Sequence, residues 1–211
     1  MTLSVREHVL DNARAEILHA AATCFMEQGY NATSIDDVAR LLGATKGRIY
    51  HYYPSKADLF ADVYRTGMDM NYVAIEPHRN LPIGPLEKWK KMATAHTRQM
   101  IATRQFQRAV WEGVEMTLRG ATTPQQRKVL GELLEYRSNY GRIFREVLVQ
   151  GLEAGVFRFE NASIANQIMF TTLNSSIFWY SPRVDETEED REAIVRQIVT
   201  FALRGLGATE D

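Results

Sequence analysis

The stretch from Thr33 to Leu59, TSIDDVARLLGATKGRIYHYYPSKADL, decides the fold. Ile35, Val38, Ala39 and Leu42 recur at helical spacing, and Gly43 ends the pattern. Thr33 and Ser34 offer a cap in front of it, with Asp36 and Asp37 in the first turn, where unpaired N–H groups favour negative charge. A short turn leads to a second cap, Thr45, which opens a brief helix carrying Ile49 and Tyr50. Pro54 breaks that helix, and Ser55 with Asp58 makes a capping-box pattern for the next one. Two short helices joined by a tight glycine turn, braced by a longer preceding helix, form a helix-turn-helix, a unit that places its second helix in the major groove of DNA.

The residues of that second helix suit the task. Thr45 puts a hydroxyl at a helix N-terminus, where phosphate oxygens are favoured, and Gly47 lets a backbone approach closely. Lys46, Arg48, Tyr50, His51 and Tyr52 supply donors and flat rings, whereas Ile49 and Tyr53 are expected in the core. The net charge of −1 gives the whole chain no attraction for nucleic acid, so binding requires local segregation of charge. That segregation is present: Val38 to Ala57 contains no acidic residue but holds Arg40, Lys46, Arg48 and Lys56.

With these residues in place, positions 11 to about 65 resemble the TetR family of transcriptional repressors. The features that carry the resemblance are Thr33, Ile35, Val38, Ala39, Gly43, Thr45, Gly47, Tyr50, Tyr52, Ser55, Lys56, Asp58 and Leu59, each at the family's offset. Two positions depart from the pattern. Leu42 stands for the usual alanine before the turn glycine, and Tyr53 for the usual phenylalanine, which adds a hydroxyl. The resemblance implies that Thr33, Thr45, His51 and Lys56 grip phosphates, and that Lys46, Arg48 and Tyr50 face the bases or the groove edge.

Outward from this core, Ala13, Ile17, Ala20, Ala21, Cys24 and Phe25 mark a first helix from residue 11 to about 28, ended by Gly29. Leu59, Phe60, Val63 and Tyr64 mark a fourth helix reaching residue 75 or so, and Pro77 to Pro85 reads as a linker. Further helices are expected at 85–103, 105–119, 124–154, 162–180 and 187–206, with no sustained strand-like alternation. The fold class is therefore all-α, with about nine helices. Three parts follow: a helix-turn-helix domain (1–54), a connecting helix (55–76), and a helical-bundle domain for ligand binding and dimerisation (77–211).

The single cysteine, Cys24, excludes an internal disulfide and a multi-cysteine zinc site, and its apolar neighbours predict a small buried residue. No apolar run approaches the roughly 20 residues needed to span a bilayer, and Glu7 and Asp11 interrupt the short apolar run at the start, so no membrane partner is expected and residence is read as cytoplasmic. No phosphate loop or nucleophile–base spacing points to an enzyme, and no cofactor or metal is implied; His96, Glu112 and Glu115 lack a fixed metal-ligand spacing.

The last two helices offer a dimer surface, with Ile164, Ile168, Thr172 and Ser175 running down the first of them. On the second, Ile194, Ile198, Phe201 and Gly205 form a stripe beside an adjacent one of Val195, Val199, Ala202 and Leu206. One stripe suits the chain's own core and the other a symmetry mate, giving a homodimer with a four-helix interface and two reading heads over an inverted-repeat operator; the alternative is that both stripes are internal core. Between these elements, Met68, Tyr72, Met100, Trp111, Phe144 and Phe178 are candidates to line an apolar pocket. His96, Glu115, Arg137, Tyr140 and Asn174 are candidates for its polar groups, and ordinary core packing is the competing reading for each. Arg137, Tyr140, Phe144, Gly151, Gly155, Phe157 and Asn174 through Pro182 resemble a subset of the family that responds to acyl-CoA thioesters. The expected effector is that class or another apolar small molecule, and a regulator with no effector stays open.

Overall fold

The computed structural model describes residues 5–120 and 123–208. Among them every regular element is helical: α1 (Val5–Ala32), α2 (Ile35–Leu42), α3 (Lys46–Tyr52), α4 (Lys56–Arg79), α5 (Pro85–Ala102), α6 (Arg104–Arg119), α7 (Pro124–Glu153), α8 (Ala162–Leu173), α9 (Ser176–Trp179) and α10 (Glu188–Gly205). The all-α reading holds, with the four-residue α9 as an addition to the expected set.

Local chemistry sets the boundaries. Ser34 and Asp37 cap α2 reciprocally, and Gly43 closes it in the left-handed region at φ 65°. Ser55 and Asp58 bond each other at the start of α4, as the sequence predicts. The same device, Thr187 with Asp190, starts α10. Pro85 and Pro124 begin α5 and α7, where a missing N–H costs nothing. Gly29 breaks the helical course of α1 at φ 77°, ψ 160°.

Two expectations need correction. Helix α4 continues past Ile75 to Arg79 with Pro77 inside it, so the linker shrinks to residues 80–84. A proline in the last turn removes a single helical hydrogen bond, and Val73, whose carbonyl loses its partner, is exposed. The helix expected over 162–180 is two, because Ser175 and Ile177 donate to Thr172 and Asn174 and tighten the chain into a turn after Leu173. This break turns the Asn174 side chain toward α5.

The chain packs as two units, one drawn from Met1–Met68 and Gln105–Glu135, the other from Asp69–Arg104 and Tyr136–Asp211. In the first, the helix-turn-helix shares a core with α4 and α6 built on Ile17, Phe25, Ile49, Leu59, Tyr64 and Phe106. Gly113 is required there: a Cβ would stand 2.7 Å from the Tyr64 ring, so α6 approaches α4 only because it carries glycine at that point. In the second unit α5 packs on α8, α9 and α10, and Trp89 is fully buried near Phe157. Gly151 admits the Phe157 ring, which lies 2.1 Å from where its Cβ would be.

Candidate nucleic-acid interface and effector site

The third helix has one buried side and one bare side. Ile49 is 0% exposed and Tyr53, just after the helix, is buried, which anchors α3 to its unit. Thr45, Lys46, Gly47, Arg48, Tyr50 and His51 are exposed and Tyr52 is half-buried, so the polar residues that the sequence singles out occupy one free edge. Thr45 caps α3 by its backbone alone; its hydroxyl makes no capping bond. Lys46 stands 3.6 Å from Asp36, and Arg48 donates to Glu16 at 2.8 Å. Exposed pairs of this kind contribute roughly 0–1 kcal/mol each, so neither pair holds its cation strongly.

Thr33 and Lys56 sit differently from the phosphate grip that the resemblance implies. Thr33 is 1% exposed, and its hydroxyl donates to the carbonyls of Gly29 and Cys24 at 2.8 and 3.1 Å. The Lys56 ammonium donates to the carbonyls of Tyr30, Thr33 and Asn31 at 2.7, 2.7 and 3.3 Å, and lies 4.4 Å from the centre of the Tyr30 ring. Partial burial holds its pKa below the usual lysine value. Both residues fasten the end of α1, where carbonyls lack helical partners.

Several contacts at this end escaped the sequence reading. The backbone N–H of Tyr30 donates to Glu112 Oε1 at 2.6 Å, and burial pushes the Glu112 pKa up. The Tyr53 hydroxyl, the departure from the family pattern, donates to Asp62 at 2.6 Å, and Arg14 holds both oxygens of that carboxylate. Desolvation and the Asp62 carboxylate raise the Tyr53 pKa, keeping the phenol protonated. Cys24 is buried, and burial likewise raises its thiol.

In the second unit, part of the expected pocket set does come together. His96 is 2% exposed, with Nδ1 2.8 Å from the Tyr140 hydroxyl and Nε2 2.7 Å from Asn174 Oδ1. The amide oxygen can only accept, so Nε2 carries the proton and the Tyr140 hydroxyl donates to Nδ1. Burial lowers the His96 pKa to about 4, against a raising contribution from Asn174, and the charge of Arg137 lowers it further. The ring is therefore neutral. Tyr140, Phe144 and Phe170 surround it, with centroids 5.4–5.9 Å from that of His96. Tyr72 meets Tyr140 edge-on and stacks on Tyr136, and Met100 is buried one turn beyond His96.

The remaining candidates lie elsewhere. Phe178 is 47% exposed on α9. Met68, Trp111 and Glu115 belong to the first unit, where the Trp111 indole donates to Glu115 at 3.2 Å. His96 and the acidic pair Glu112 and Glu115 thus fall in different units, and among the described residues no cluster of three or more His, Cys, Asp or Glu is placed to hold a metal ion. No helix among the described residues is long and apolar enough to cross a membrane. Of the expected dimer stripe, Ile164, Ile168 and Phe201 are 59%, 63% and 67% exposed. Thr172, Ser175 and Ile194 are half-buried, whereas Ile198 is 7% exposed and belongs to the chain's own core.

Comparison with known proteins agrees with this geometry. Residues 17–63 match the model of the bacterial regulatory proteins of the tetR family, and residues 82–206 match that of the tetracyclin repressor-like C-terminal domain. The chain is 25% identical over 174 residues to the HTH-type transcriptional repressor KstR2 of Mycobacterium tuberculosis, covering 82% of this chain and 84% of KstR2. The regulator PfmR of Thermus thermophilus superposes with a TM-score of 0.73 at 27% identity, covering 90% of this chain and 98% of PfmR. AibR, solved in complex with isovaleryl coenzyme A and operator DNA, shares the fold at a TM-score of 0.70 and 20% identity, over 90% of this chain and 97% of AibR. The chain belongs to the tetR family of bacterial regulatory proteins, helix-turn-helix transcription regulators that bind DNA rather than catalyse a reaction.

Proposed function

We propose that this regulator binds an inverted-repeat operator as a homodimer and is released by an apolar small molecule with a polar or acidic end, an acyl-CoA thioester being the class we favour. The observation that carries the reading of DNA is the free polar edge of α3 over a buried Ile49. In this reading Thr45 and His51 meet phosphates, Lys46, Arg48 and Tyr50 reach base edges or the groove wall, and Gly47 permits the approach. Tyr52 flanks them, while Thr33 and Lys56 brace the unit.

Dimerisation is supported by Ile164, Ile168 and Phe201, which leave an apolar strip on α8 and α10 exposed to water. A two-fold pairing of that strip presents two reading edges to one duplex.

The effector reading rests on the neutral His96–Tyr140–Asn174 set inside an aromatic shell, with Arg137 as the nearby cation. A thioester carbonyl or hydroxyl would compete for the Asn174 and Tyr140 bonds, and an anionic group would face Arg137. Asn174 lies at the α8–α9 break, so replacing its bond to His96 disturbs the end of the helix that carries Ile164 and Ile168. Release of DNA requires only that the ligand prefer the non-binding shape.

Fluorescence anisotropy on a duplex from the region upstream of the chain's own gene, with and without isovaleryl-CoA, tests both halves. Salt-sensitive binding that the thioester weakens supports the proposal. Salt-sensitive binding indifferent to thioesters would leave an operator-binding regulator of another effector class.

A further inference from the structure

The unit that holds the helix-turn-helix contains a cavity of its own, of about 260 Å³, among the end of α1 and helices α4, α6 and α7. Its deep walls are apolar and buried: Phe60 and Ala61 from α4, Leu130 and Leu133 from α7. Ala57 and Ala61, one turn apart on α4, face the space, and larger side chains at either position would fill it. Apolar cavities of about 150 Å³ already take up benzene, while drug-sized ligands occupy roughly 300–1,000 Å³. The space here falls between, which suits one or two fused rings.

The rim adds direction. The Gln126 amide interacts with the Tyr30 phenol, and the Ser55 hydroxyl donates to Asp58. Asp58 is the one charged group among the described residues lining the cavity, so it disfavours anions and accepts from an N–H or O–H. Tyr30 forms one wall, and it is also the residue whose N–H meets Glu112 and whose carbonyl meets Lys56. A guest here lies against the residue that ties α1 to α4 and α6.

We propose that this cavity is a binding site for an uncharged aromatic molecule of one or two rings bearing a single hydrogen-bond donor. It stands on the geometry of its own unit and is independent of the effector site proposed at His96.

Indole is the probe. Titrated into the full chain and followed by methyl NMR and calorimetry, it should bind one per chain. The Ala61, Met116 and Leu133 methyl resonances should shift, and those of Met100 and Met169 in the other unit should stay in place. Ala61→Leu, which fills the space from a buried wall, should weaken binding about tenfold. If that variant does not fold, Met116→Trp fills the same space from a half-buried position and should have the same effect. Lack of saturable binding overturns the site. So do shifts at Met100 and Met169 in place of Met116, or affinity unchanged in a folded filling variant. Because those outcomes are read in methyl groups of separate units, failure here leaves the thioester test of the His96 site unaffected.

Discussion

The exposed polar edge of α3 and the aromatic cluster around His96 are built on opposite plans. At α3, eight consecutive residues from Thr45 to Tyr52 supply cap, donors and anchor, and the polar side chains point to water. Around His96, one histidine from α5 meets Tyr140 from α7 and Asn174 from the α8–α9 break, at sequence separations of 44 and 78, and the imidazole ring is buried. A surface that meets a large external partner can be written in one short segment. A polar set that must remain dry needs several distant helices to enclose it. The first plan tolerates exchange of its ion pairs, whereas the second penalises any loss of a partner.

This contrast can be tested hardest at the anchor. Ile49→Ala should cost roughly 2–5 kcal/mol of stability, while Tyr50→Ala, its exposed neighbour, should change stability by no more than about 0.5 kcal/mol. Chemical denaturation measures both, and equal losses would mean that α3 has no distinct inner and outer sides. At His96 the expectation concerns pH. The folded-state pKa of about 4 lies below the ordinary 6.5, so the unfolded chain binds the proton more tightly. The neutral ring's contribution is fully present above pH 6.5 and is lost as pH falls toward 4, a change on the order of 3 kcal/mol. His96→Gln should flatten the stability profile in that window, and an unchanged profile would contradict the enclosed neutral ring.

Lys56 sharpens the comparison because it lies in the unit of the helix-turn-helix but three carbonyls hold its ammonium. Lys56→Ala should lower stability by about 1–2 kcal/mol through the carbonyls it leaves behind at the end of α1. It should barely alter the salt dependence of DNA binding. A salt slope reduced by about one ion, with stability intact, would return Lys56 to a phosphate. The smallest effect belongs to Glu16→Gln. Freeing Arg48 from its exposed partner should tighten duplex binding by less than about 1 kcal/mol, a few-fold in Kd.

Legibility in the sequence follows the same division. The spacing of Ile35, Val38, Ile49 and the caps Ser34, Gly43 and Ser55 is local chemistry, so the helix-turn-helix and its exposed edge could be read directly. The extra hydroxyl of Tyr53 was visible, but its partner Asp62 lies on the next helix and Arg14 on the first, so its purpose was not. Thr33 and Lys56 fit the family pattern by position, and only the folded chain shows that carbonyls at the end of α1 already engage them. Periodicity marked 162–180 as one helix because nothing local in that pattern reports a turn whose side chain bonds a histidine on α5. Apolar spacing likewise could not tell Ile198, which packs inward, from Phe201, which does not.

DNA binding through α3 requires Lys46 and Arg48 to exchange Asp36 and Glu16 for DNA. The direct measurement is the slope of log affinity against log salt concentration for the wild-type chain and for Lys46→Ala/Arg48→Ala on one duplex. Removal of both cations should weaken binding, and should reduce the slope by about 0.9 for each phosphate that they neutralise. An identical slope and affinity in the double variant would show that α3 is not the surface that meets DNA.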